Sequence, residues 1–157
     1  MSAAASRRVV YYDPHAADGE VAPPFASGEA GCVWVGADGV VQTDVRVLIS
    51  PNSLHALHGH GVVARLAELG PELGPIGGGR DALLGPVRVE RALAIFYDAD
   101  RKTYGARHDL LVRAASGPDD VEYRIVVDNR EYQRTLSQLQ FMTSTAARMG
   151  QGIRLRV

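Results

Sequence analysis

The stretch His55-Ala56-Leu57-His58-Gly59-His60 places three imidazoles within six residues, beside Gly59 and Gly61. A neutral imidazole is a nucleophile and a metal ligand, and it titrates near neutral pH. Glycines next to it let a ligand come close to the backbone. Metal ligation is one chemistry to weigh. On a helix His55 and His58 could share a face at i, i+3, but His60 would then point elsewhere. No carboxylate stands nearby to orient the rings as an outer partner does. No metal is therefore expected. A phosphoacceptor histidine at a helix N-terminus is the other, because free N–H groups and the helix dipole favour an incoming phosphoryl anion. Against both stands a glycine-rich polar loop whose histidines only face solvent.

Other motifs carry less. Asp98-Ala-Asp100 follows an apolar stretch like the carboxylate pair of aspartyl-phosphate enzymes, but Lys102 stands where a threonine or valine is wanted, so a charged hairpin turn is expected. The run Gly74-Pro75-Ile76-Gly77-Gly78-Gly79 lacks the Gly-Lys-Ser/Thr ending of a phosphate-binding loop. Cys32, the one cysteine, sits beside Trp34 in a strand-like segment, where burial would leave it inert. It can form neither an intramolecular disulfide nor a cysteine zinc site. Tyr11, Tyr12, Tyr97 and Tyr104 suit either a partner surface or a core.

Several elements must position these residues. Residues 8–12 read as a strand, and 13–30 as a loop or arm. Residues 32–35 and 40–49 form a hairpin around Gly36-Ala37-Asp38-Gly39. Asn52 or Ser53 can cap a helix, which the glycines at 59 and 61 weaken by about 1 kcal/mol each. An irregular turn through the histidines is expected, with firm helix only over 62–69. Residues 70–86, with six glycines and three prolines, read as a long loop. Strands are expected at 87–89, 92–97 and 103–114. Alternation of Val121, Tyr123, Ile125 and Val127 with polar residues marks another strand. Leu136, Leu139, Met142, Ala146 and Met149 form a helix stripe over 131–149, ended by Gly150. Ile153, Leu155 and Val157 alternate in a last strand.

The fold class is therefore α+β: an antiparallel or mixed sheet of about six strands with two helices packed on one face. The 157 residues fit one domain, with 1–40 as arm and hairpin and 70–86 as a Gly/Pro-rich loop. A composition of 46% hydrophobic and 22% charged residues is that of a globular chain. The net charge of −1 and the scattered arginines give no reason to expect nucleic acid or a membrane as partner. Neither a signal peptide nor a membrane span is readable, so a cytoplasmic location is expected.

Two segments together resemble the histidine-containing phosphocarrier protein family (HPr). Val45-Arg-Val-Leu-Ile-Ser-Pro-Asn-Ser-Leu54-His55-Ala56 is similar to that family's first strand and its Gly-Leu-His-Ala-Arg-Pro loop, with His55 at the phosphoacceptor position. Ser53 replaces the loop's glycine, Leu57 its arginine and His58 its proline. Residues 121–157 are similar to the family's second half, with Ser137 where many members carry a regulatory serine. The resemblance implies a phosphoacceptor or regulatory domain, with or without surviving phosphotransfer. His55 would be the acceptor, Ser53, His58 and His60 binding residues, and Ser137 a regulatory site. No cofactor is implied. The alternative is a non-catalytic interaction module (immunity, adaptor or assembly subunit) with a protein partner or as a homo-oligomer. A metal-dependent enzyme using the histidines is a third reading, and the residues alone do not decide whether the chain is an enzyme.

Overall fold

The computed structural model describes residues 8–11, 13–15, 30–36, 38–117 and 119–157. Tyr12 and most of the arm expected at 13–30 lie outside the described residues. The fold is α+β, with seven strands in two sheets and four α-helices among the described residues. That replaces the expected single sheet with two helices on one face.

The hairpin forms as read: β2 (Gly31–Val35) and β3 (Val41–Leu48) are antiparallel, closed by a hydrogen bond from the Gly36 N–H to the Val40 carbonyl at 2.9 Å. After it the reading and the structure part. Helix α1 (Pro51–Gly59) runs straight through the first two histidines instead of breaking there. Its cap is Ser50, two or three residues earlier than expected, whose hydroxyl accepts from the Ser53 N–H at 3.2 Å, and Pro51 fits the first turn where no N–H is needed. The glycines fall at its end, where they cost little. Gly61, at φ 75°, makes the left-handed step that starts α2 (Val62–Ala67).

The stretch at 70–86 contains a 3-10 turn (Pro71–Leu73) and strand β4 (Asp81–Leu84), where only loop was expected. The strands expected at 87–89 and 92–97 are instead one helix, α3 (Pro86–Thr103), which also takes in Asp98 and Asp100, so the expected hairpin turn is a helix end. Val89, Ala92, Phe96, Ala99 and Thr103 recur every three or four residues and are all buried. That stripe packs on α4 (Asn129–Arg148), and tertiary burial overrides the strand preference of Val87 and Val89. The expected return strand shortens to β5 (His108–Arg113), because Thr103 still belongs to α3.

β1 (Arg8–Tyr11) pairs parallel with β6 (Val121–Val127), and β5 pairs antiparallel with β6, giving the order β1-β6-β5. The second sheet has the order β3-β2-β7-β4, with β7 (Gly152–Arg156) at its centre and antiparallel pairing throughout. Helix α4 packs against β2, β3 and β7, while α1 joins α4 to β5 and β6. One contact fixes that junction. The fully buried Asn52 side chain donates to the Asp128 carbonyl at 3.0 Å and accepts from the Asp128 N–H at 2.8 Å. It thereby holds the start of α1 to the start of α4. No helix among the described residues is long and apolar enough to cross a membrane.

Candidate functional site

Leu54 and Leu57 anchor α1 in the core at 7% and 1% exposure, each such burial contributing about 1.5–3 kcal/mol. His55 and His58, three residues apart, both line a cleft of about 630 Å³. Leu110, Leu111 and Val112 of β5 and Ile125 of β6 also line it. The glycine-rich loop lines it too, through Pro75, Ile76, Gly77, Gly78 and Arg80.

Gly77 brings the loop's backbone against the His58 ring: a Cβ there would stand in van der Waals contact with Cε1 at 3.4 Å, and it is the backbone conformation, at φ 113°, that favours glycine. The loop is pinned behind that contact by a hydrogen bond from the Gly79 N–H to the Val157 carbonyl at 3.1 Å. Arg80 follows at once, ahead of β4, and its exposed side chain lines the cleft.

Burial, and then the nearby His55, push His58 down to about 4, so its ring is neutral near pH 7. Among the described residues, Arg80 is the one formally charged residue lining the cleft, and no carboxylate does. The arrangement is an apolar wall with two imidazoles and one guanidinium, which suits a compact anion with an apolar body. Among the described residues no group of three His, Cys, Asp or Glu side chains is placed to hold a metal ion.

His60 belongs elsewhere. Its ring packs edge-on to His108 at 4.4 Å between centroids and stacks on Tyr132 at 5.5 Å. Burial and the neighbouring His108 lower its pKa. The fully buried Tyr132 hydroxyl has no hydrogen-bond partner among the described residues, and burial followed by the charge of Asp100 raises its pKa. His108 and Asn129 reach the Thr103 carbonyl, at 3.4 and 2.9 Å, and Gln133 donates to the Thr103 hydroxyl at 2.8 Å. This inner polar knot ties the end of α3 to β5 and the first turns of α4.

Thus the structure brings together His55 and His58 and separates His60 from them. Ser53 is fully buried at the α1–α4 contact, 2.9 Å from the Thr135 hydroxyl, and does not line the cleft. Ser137 is exposed on α4 and lines a different groove, beside Trp34 and Phe141. Cys32 is fully buried, and burial pushes its thiol up to about 12, so it is inert as expected. Sequence reasoning missed Arg80 and the β5 wall. They lie 22 or more residues from His58, and only the glycine run hinted that backbone closely approaches something there. No protein-family model matches the chain, and neither a curated protein nor a solved structure does.

Proposed function

We propose that the protein binds a small organic anion in the α1 cleft, and that binding rather than turnover is its role. One observation carries this: Arg80 is brought into an otherwise apolar cleft together with two imidazoles, of which His58 is held neutral by burial. A guanidinium with no carboxylate beside it among the described residues of the cleft offers an anion charge-assisted hydrogen bonds of about 1.5–3 kcal/mol. The leucine and valine wall takes the apolar body. Thermal denaturation with benzoate, phenyl phosphate and neutral benzamide tests this. The two anions should raise the melting temperature and benzamide should not, and Arg80→Gln should abolish the difference. An equal response to all three, or none to any, overturns it.

A second reading keeps His55 as a phosphoacceptor. Arg80 favours it, since the resemblance to the phosphocarrier family lacks its arginine at Leu57, and this chain supplies one to the same cleft from the loop. At 4% exposure His55 is reachable by a small phosphodonor far more readily than by a protein. Incubation with phosphoenolpyruvate and general phosphotransferase enzyme, and separately with an acyl phosphate, should then give an acid-labile phosphate lost in His55→Ala. Absence of label from both donors excludes this reading and leaves the binding role standing.

A further inference from the structure

Helix α3 carries a second stripe, on the side away from the one it buries. Val87, Glu90, Ala94, Tyr97, Arg101 and Tyr104, the last of them its C-terminal cap, are all exposed and follow one another at spacings of three, four, three, four and three. That is the spacing of a narrow heptad seam, which fits another helix rather than solvent or a broad core. Large side chains are left bare along it, with Val87 78%, Tyr97 54% and Tyr104 80% exposed. Ala94, Tyr97, Arg101 and Tyr104 also line one open groove of about 860 Å³. Among the described residues Glu90 enters no ion pair. Arg101 meets Asp98 at 2.9 Å, but Asp98 is also held by Arg65 and Lys102, so the Arg101 guanidinium keeps donors for a second carboxylate.

We infer that this face of α3 is the interface of a homodimer, in which the helices of two copies lie side by side and run antiparallel. The composition of the seam selects the partner. Turned end for end about the point midway between Ala94 and Tyr97, the seam is its own complement. Val87 then faces Tyr104 of the second copy, Glu90 faces its Arg101, and Ala94 faces its Tyr97. Small meets large at the centre, opposite charges meet on either side of it, and apolar groups meet at the ends. The twofold axis makes every one of these contacts twice. A parallel pairing would instead set Glu90 on Glu90 and Arg101 on Arg101, and both repel. The 18 residues of α3 give a seam about 27 Å long, toward the small end for an interface, so the dimer is reversible in the micromolar range. The inference is independent of the α1 cleft, since no residue of the seam lines it.

Sedimentation velocity of the purified full-length protein, over about a hundredfold range of concentration in the micromolar region, reads the association directly. A reversible monomer–dimer equilibrium is expected. Glu90→Arg and Arg101→Glu each set like charges against one another at two symmetric contacts, and each should weaken the dimer about tenfold or more. Mixed in equal amounts, the two variants should recover it, because each of those contacts between one variant and the other again joins opposite charges. Tyr97→Ala should weaken the dimer to a similar degree, and Arg80→Gln should leave it unchanged. Melting temperatures of the dilute variants confirm that each one folds. A protein monomeric throughout the range overturns the inference, as does a dimer that neither single charge reversal weakens. Failure of the mixture to recover what the single variants lost also overturns it, since the two helices then do not run antiparallel.

Discussion

Acidification should weaken the fold through His58, and the His58→Gln variant isolates the effect. Burial holds the folded-state value near 4, against an ordinary value of 6.5. As pH falls, the unfolded chain therefore takes up the proton first. Stability is intact above about pH 6.5, falls between there and about pH 4, and then levels off. Taken whole, the shift would remove about 2 kcal/mol at about pH 5. The ring is only part-buried, and solvent screening reduces this to about 1 kcal/mol. Burial lowers His60 in the same direction, so part of the loss persists in the variant. Asp81, Asp98 and Asp109, lowered mainly by hydrogen bonds from basic partners, lose their contribution at lower pH and equally in both proteins. Urea unfolding followed by Trp34 emission near neutral pH and again near pH 5 gives the difference. Wild type should lose about 1 kcal/mol more than His58→Gln. Parallel losses in the two proteins would refute the reasoning, since His58 would then be solvated in the folded state.

Further predictions follow from single contacts. Tyr132→Phe removes a buried hydroxyl that has no partner among the described residues, and should raise stability by about 1 kcal/mol in the same urea assay; a loss would mean that the hydroxyl is satisfied. Gly152→Ala would set a Cβ 2.6 Å from the Leu84 carbonyl oxygen and should cost about 1–3 kcal/mol, whereas Gly85→Ala, with nothing within 4 Å, should be close to neutral. Asn52→Ala strips both hydrogen bonds from Asp128 and should cost about 2–4 kcal/mol. Hydrogen exchange in that variant should rise first at the starts of α1 and α4.

How much of this was legible can be followed residue by residue. Helix α4 and strands β6 and β7 could be read because each carries its own period, Leu136-Leu139-Met142-Ala146 at helical spacing and Val121–Val127 at alternate positions. Helix α3 was misread because its valines prefer strands locally, while the stripe that makes it a helix is satisfied only against α4. The histidine segment was expected to be irregular because Gly59 and Gly61 weigh against helix within a window of sequence. In the folded chain they sit at the end of α1 and in the step to α2, where they suit the backbone.

The amino-acid sequence by itself determined the α+β class, the hairpin at β2–β3, an inert Cys32, and the choice of the histidine segment as the place to look for chemistry. Each of these is set by local chemistry: period, turn residues, the residue types within one short segment. Which strands pair, that His60 turns inward to His108 and Tyr132, and that Arg80 lines the same cleft as His58 were decided only in three dimensions. Those relations depend on which apolar faces bury against one another across long stretches of chain, and no local pattern encodes that choice.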